Sequence, residues 1–443
     1  MESSNYGCII FENEIKHDAA WACIAGEEPF YISSLNDLST DVIWLTNISF
    51  EVMKESRLLG NTRYRHDQFL RIDVNKLIDF FGLHKDLKKQ AWAFSQIFYN
   101  VCRLYYGLMP KDVELDHAAL KNGVRKCAGE YDLSYTESMA KIIDSATVNS
   151  VNCERQIRRE DSGGTIFFRC SPIEHMSFIL SAPLPTGKWI KVDLPSCQDS
   201  SEHVLEWLSY QDSPMLISIT IKKISDKIGS YINYGSGGKY NREWVTSPEL
   251  AMLLPFSDIV VNQAYKSEYI SSMKPLYDFV RSVPEVSDLS ISFHLFLDNI
   301  WTGLSSNLKT SNQQKLEQKT KDQKKKKPKR AHNHAAPFLR AHDRFFCLQK
   351  VVKLASLGYD VAGYGGGLIR VDIPNISDQD IYNIGYNAGL IPPMCFLNES
   401  DLQHDAKHDN TPIGILQNLY ALNMFEKLMY IDNQVVEGIL KNY

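Results

Sequence analysis

The stretch Asp360-Val-Ala-Gly-Tyr-Gly-Gly-Gly-Leu-Ile-Arg-Val-Asp-Ile373 constrains this chain most. Two β-prone runs, Val361–Ala362 and Leu368–Ile373, flank the glycines Gly365, Gly366 and Gly367. Glycine reaches positive φ without a steric penalty, so the spacing predicts a tight hairpin. Before it, Phe338–Leu357 is an unbroken helical candidate, with Phe345, Leu348, Val352 and Ala355 on its predicted apolar face. A long helix that delivers a hairpin is the expected local architecture.

At 443 residues the chain can bury one large core or two to three smaller ones. With 44% hydrophobic and 23% charged residues it reads as an ordinary soluble globular protein. It has no apolar run of the ~18 residues that would span a bilayer, and no basic-then-apolar N-terminus of the signal-peptide kind. No membrane partner is expected. The nine cysteines are scattered, with no Cys-x-x-Cys and no His at zinc spacing. Reduced thiols follow, in the cytoplasm or in the nucleus of a eukaryotic host. A net charge of −5 excludes a generally basic nucleic-acid coat, so affinity for phosphate must come from a local patch.

Residues 5–60 read as a small α/β unit with strands at Tyr6–Glu12, Trp21–Ala25, Pro29–Ile32 and Asp41–Leu45. Glu12 and Glu51 sit at strand ends, where carboxylates are commonly solvated. A helix is predicted over Lys85–Leu108, and 110–160 is mostly helical, clearest at Leu115–Gly123 and Thr136–Ile143. Asp161-Ser-Gly-Gly164 breaks the chain before a strand at Thr165–Arg169. Further strands are predicted at Trp189–Leu194, Leu216–Ile224 and Ile228–Tyr234. At Trp244–Leu250, Thr246 or Ser247 can cap a helix with Pro248 in its first turn and Glu249 near its positive end. A helix through Ser290–Leu304 leads into a low-complexity segment, Ser305–Arg330. There Lys324, Lys325, Lys326, Lys327, Lys329 and Arg330 place six positive charges in seven residues. Such a run is a solvated linker, a phosphate-binding patch or a nuclear-import signal.

In this order the landmarks resemble the protein-primed branch of the B-family DNA polymerases of phages and linear plasmids. The exonuclease motif Asp-x-Glu corresponds to Ile10-Phe-Glu12, Asn-x-x-x-Phe-Asp to Asn47-Ile-Ser-Phe-Glu51, and Tyr-x-x-x-Asp to Trp92-Ala-Phe-Ser-Gln96. Motif A matches Asp193-Leu-Pro-Ser196 and then diverges at Cys197-Gln198-Asp199. Motif B, Lys-x-x-x-Asn-Ser-x-Tyr-Gly, falls on His294-Leu-Phe-Leu-Asp-Asn-Ile-Trp-Thr302, with His294 in place of the phosphate-binding lysine. Motif C, Tyr-x-Asp-Thr-Asp-Ser, falls on Gly363–Leu368, with glycine at both aspartate positions, Gly365 and Gly367. The palm hairpin of nucleotide cyclases is a rival likeness, but it also requires acidic residues and explains nothing before residue 340.

The resemblance implies an α/β and α+β multidomain fold. Its parts are an RNase H-like exonuclease-type domain (1–110), a helical connection (111–160), a palm and fingers (161–375, with the insert 305–330) and a small helical thumb-like tail (376–443). The palm sheet should contain both Trp189–Leu194 and the 361–373 hairpin. Two divalent cations need carboxylates from motifs A and C. Asp193 is the only metal candidate and cannot hold the pair, and Glu12, Glu51 and Gln96 are remnants of the exonuclease set. The implied protein is a catalytically inactive polymerase-like protein without a cofactor. Its expected partners are DNA, single-stranded or primer–template, and an active polymerase or other replication protein. The alternatives are a weak polymerase or nuclease with relocated ligands (Asp193, Asp199, Asp372) and a protein–protein scaffold.

The basic run carries the first prediction. If about half of its charges meet phosphates, log K against log salt should have a slope of about −3 on duplex DNA. Neutralising all six residues to Gln should weaken binding across sequences alike and flatten that slope in a filter-binding titration; an unchanged slope would mark the run as a solvated linker.

Overall fold

The computed structural model describes residues 5–13, 15–16, 19–56, 58, 63–65, 86–108, 137–147, 153–154, 164–224, 244–283, 287, 290–305, 334–373, 383–385, 387–390 and 425–442. The predicted pieces Leu115–Gly123 and Ile228–Tyr234, and the basic run 324–330, lie outside them. The strands are β1 (Asn5–Phe11), β2 (Ala20–Ile24), β3 (Phe30–Ile32), β4 (Val42–Thr46), β5 (Tyr64–Arg65), β6 (Cys153–Glu154), β7 (Gly164–Arg169), β8 (Leu184–Lys191), β9 (Met215–Ile224), β10 (Trp244–Thr246), β11 (Ser257–Ser271), β12 (Asp360–Gly365) and β13 (Leu368–Ile373). The helices are α1 (Phe50–Glu55), α2 (Leu87–Leu108), α3 (Glu137–Thr147), α4 (Pro172–Leu180), α5 (Ser201–Ser209), α6 (Ser247–Leu253), α7 (Lys274–Ser282), α8 (Ile291–Ser305), α9 (Ala335–Ser356) and α10 (Phe425–Asn442).

The chain forms two compact units, each assembled from segments distant in sequence. The first takes Met1–Gly123, Ser282–Ile300 and Met394–Tyr443. Its sheet has the order β3-β2-β1-β4-β5, with β1 antiparallel to β2 and parallel to β4. Tyr6 and Cys8 to Phe11 are all buried, as expected of a strand covered on both faces. The apolar stripe Ala91, Phe94, Ile97, Phe98, Val101 and Leu104 packs α2 on this sheet. The C-terminal helix α10 packs on α2 and belongs to this unit.

A buried carboxylate ties these pieces together. Asp432 of α10 accepts hydrogen bonds from Ser290 Oγ (2.6 Å), Ser292 N (3.0 Å), Ser292 Oγ (2.6 Å) and Asn100 Nδ2 (3.0 Å). It thereby satisfies a backbone donor at the start of α8, where a helix favours negative charge.

The second unit takes Val124–Arg281 and Trp301–Pro393. It holds two antiparallel sheets, of order β10-β9-β11-β8 and β6-β12-β13-β7. This corrects one expectation. The strand bearing Trp189 and the glycine hairpin lie in different sheets, because β8 pairs along the 15-residue β11 while the hairpin takes β7 and β6 as neighbours. The strand also ends at Lys191, two residues before Asp193. β11 itself went unpredicted. Its ladder shifts register against β9 between Asp258 and Ile259 and between Val261 and Gln263, so its apolar residues do not alternate regularly.

Helix α9 is central to this unit and packs on α3, α4, α6 and β12. Its predicted apolar face is only partly right. Leu348 is buried, but Phe345 and Val352 are 37% and 39% exposed. The buried arc instead runs through Phe338, Leu339, Phe346, Cys347, Val351 and Leu354, and it includes Arg340, Asp343 and Arg344. Contact with several elements widens the buried arc beyond a single stripe. Arg340 donates through Nε to Ser305 O (2.9 Å) and through Nη1 to Thr147 O (2.9 Å), capping the C-terminal carbonyls of α8 and α3 with a cation. Among the described residues no helix is long and apolar enough to cross a membrane.

Replacing Asp432 by Ala strips one acceptor from four buried donors and should lower stability by about 3 kcal/mol in urea unfolding. Asp432→Asn keeps one acceptor oxygen and should lose less than Asp432→Ala; equal losses would mean that packing, not the hydrogen bonds, sets the effect.

Candidate functional site

The hairpin forms as its glycines predict. Gly365 pairs with Leu368, leaving Gly366 and Gly367 as a two-residue turn with φ of 63° and 73°. Positive φ at both central positions is the turn whose twist matches the flanking strands, and glycine takes it most easily. A Cβ on Gly367 would in addition lie 2.9 Å from His175 Nδ1 and 3.1 Å from its Cε1.

The inner side of this turn is filled by a carboxylate from α9. Asp343 Oδ2 accepts from Gly366 N at 2.7 Å, and its Oδ1 accepts from Gly367 N at 3.1 Å. The same Oδ1 lies 2.7 Å from His175 Nε2 and accepts from Cys347 Sγ at 3.6 Å. Asp343 and Cys347 are fully buried, and His175 nearly so. The edge of Trp301 (5.7 Å) and the ring of Phe346 (5.6 Å) hold the imidazole in place. Cys170 stands between β7 and α4, and its N–H donates to Gly367 O (2.9 Å). Hydrogen bonding to the Cys170 thiol, then burial and the Asp343 carboxylate, push the Cys347 thiol well above its ordinary range.

Beside this cluster, Glu249 at the start of α6 forms a fully buried ion pair with Arg344. Glu249 Oε2 also accepts from Thr246 N and Oγ1, both at 3.2 Å. Thr246 is therefore the N-terminal residue of the helix, while Ser247 Oγ accepts from Met215 N (3.2 Å).

The other predicted site residues are dispersed. Asp193 is exposed, and its backbone carbonyl accepts from Trp207 Nε1 (3.0 Å). Asp199 is exposed and faces Cys197 Sγ (3.4 Å) and Lys222 Nζ (3.5 Å), which hold its carboxyl below the usual range, the thiol hydrogen bond most. Asp360 and Asp372 are paired across the open end of the hairpin, roughly 15 Å along the strands from the turn. His294 is half-buried on α8 within the first unit. Glu12 and Glu51 are exposed beyond the C-terminal ends of the parallel neighbours β1 and β4; Asn47 joins these ends by accepting from Phe11 N (3.0 Å) and donating to Phe11 O (3.1 Å). Gln96 is buried on α2.

Sequence reasoning missed the Asp343–His175–Cys347 cluster. Its signals are short: Asp343 and Cys347 stand four apart on one helix face, and Cys170 precedes His175 by five residues across a helix start.

No protein-family model matches the sequence, and no curated protein does. The fold is nonetheless similar to solved structures of Phi29 DNA polymerase. Against that polymerase complexed with primer–template DNA the TM-score is 0.51 at 12% identity, covering 85% of this chain and 82% of the other. Against its orthorhombic crystal form the TM-score is 0.50 at 11% identity, covering 84% and 81%. The chain thus has a DNA-polymerase-like fold.

The turn geometry yields a paired test. Gly358 also has positive φ (88°) but open space where a Cβ would go. Gly358→Ala should lose only the backbone term, about 1 kcal/mol. Gly367→Ala adds the collision with His175 and should lose about 3 kcal/mol in the same urea titration. Equal losses would show that His175 yields freely.

Proposed function

We propose that this is a catalytically inactive, DNA-polymerase-like protein that binds nucleic acid. The observation that carries the reading is the hairpin turn. At the positions where the resemblance requires metal-binding aspartates stand Gly365 and Gly367, and the N–H of Gly367 is spent on the buried Asp343. Two-metal nucleotidyl transfer needs carboxylate oxygens that reach solvent and substrate. Asp343 points inward, and Asp193 lies past the end of β8, the edge strand of another sheet. Loss of one transition-state contact already lowers rates by on the order of 10²–10³, and here several are replaced together.

In this reading residues 1–110 keep the frame of an RNase H-like exonuclease domain, supported by the antiparallel β3-β2-β1 portion followed by the parallel β4 and β5. Glu12 directly follows β1 and Glu51 lies in the first turn of α1 after the parallel neighbour β4, the usual ligand end of such strands, but Ile10 and Gln96 leave the ligand set incomplete. Residues 161–375 correspond to palm and fingers and 376–443 to a reduced thumb. Nucleic-acid binding is supported by the likeness to a polymerase solved with primer–template DNA and by the basic run 324–330. A replication protein is the further partner this reading allows.

With magnesium or manganese, labelled primer–template should be neither extended nor degraded. Extension by the parent chain that disappears in Asp193→Ala would overturn the inactive reading. DNA should be retained at about 50 mM salt and released as salt rises; absence of binding at low salt would favour a protein scaffold instead.

A further inference from the structure

We infer that His175, Asp343 and Cys347 form a buried structural site for a thiophilic divalent cation of the zinc class, with Cys170 beside it outside the ligand set. One ligand atom from each of His175, Asp343 and Cys347 lies within 4.8 Å of the others, and all three residues are buried. Cys170 is buried too and touches the Cys347 thiol. Two ligands come from one face of α9, four residues apart, and the third from the first turn of α4. A cation held there would pin helix to sheet behind the glycine turn.

The donor set selects the metal. Imidazole, thiolate and one carboxylate suit zinc or cobalt, whereas magnesium and calcium demand oxygen. Charge balances as well: a divalent cation with one thiolate, one carboxylate and a neutral imidazole is net neutral, which a dry pocket favours. Binding converts the Cys347 S–H to a thiolate and releases that proton; the proton on His175 Nε2 is likewise lost or moved to Nδ1. Tetrahedral bond lengths of about 2.0–2.3 Å imply ligand separations of about 3.3–3.6 Å. The Cys347–Asp343 distance of 3.6 Å already fits, and the His175–Asp343 distance of 2.7 Å must open by about 0.6 Å. The Gly366 N–H on Oδ2 and the Gly367 N–H on Oδ1 are outer contacts that orient the carboxylate, with Oδ1 facing His175 and Cys347.

The untagged full chain, purified without added metal, should carry about one zinc per molecule by mass spectrometry of the elements. After chelation, titration with cobalt(II) should produce a thiolate-to-metal charge-transfer band and tetrahedral visible bands saturating at one equivalent. Both should vanish in Cys347→Ser and persist in Cys197→Ser. Zinc should also protect Cys347, but not Cys8 or Cys23, from alkylation of the parent chain in moderate urea, a readout independent of how any variant folds. Absence of the thiolate band, its survival in Cys347→Ser, or equal labelling of Cys347 with and without zinc would overturn the site and leave Asp343 a hydrogen-bonded clamp alone.

Discussion

The carboxylate of Asp343 is the interaction on which the second unit depends. Two backbone N–H groups in a positive-φ turn, an imidazole and a thiol all converge on it with no water-facing side. A backbone donor buried without an acceptor loses about as much free energy as a broken hydrogen bond, so the turn and the helix are stable only in each other's presence. The neighbouring polar groups of α9 work alike. Arg340 reads two helix ends and Arg344 meets Glu249. Buried ion pairs add little net stability, but breaking one is expensive. Sliding α9 by one residue would leave three charged groups unmatched at once, so its position against the sheets has one solution.

Much of the frame was legible because it is local. The glycine triplet, the strands before residue 46 and the capped start of α6 each announce themselves through turn chemistry, apolar runs or capping residues within a few positions. The likeness to a polymerase was legible only as an order of landmarks. What escaped was non-local. β11 hid because its register shifts break alternation, and the true face of α9 hid because four elements surround it. The partition of β8 and the hairpin into separate sheets hid because strand pairing is not written in either strand. The Asp343 cluster joins residues 168 positions apart, and each of them reads alone as an ordinary core or surface side chain.

The two halves of the chain differ in how they treat acidic residues. In the first unit Glu12, just after β1, and Glu51, in the first turn of α1, are on the surface beyond the parallel pair of a mixed sheet. In the second, two acidic groups at the hairpin lie inward: Asp343 under the turn and Asp372 at its base. An outward carboxylate can meet a cation and a substrate together, whereas an inward one can only organise the protein around it. At the glycine hairpin the buried carboxylate of Asp343 serves the architecture of the second unit.

The socket formed by Asp432 bears on synthesis from the ribosome. Asn100, on the helix that covers the N-terminal sheet, finds its partner 332 residues later in the chain. The early strands can pair as they emerge, yet the Asn100 amide of α2 waits for a partner 332 residues further along. Until α10 docks, the face of α2 that it covers is exposed, the kind of surface that chaperones hold and neighbouring nascent chains can invade. Helix α10 is therefore the element that closes the unit begun at β1.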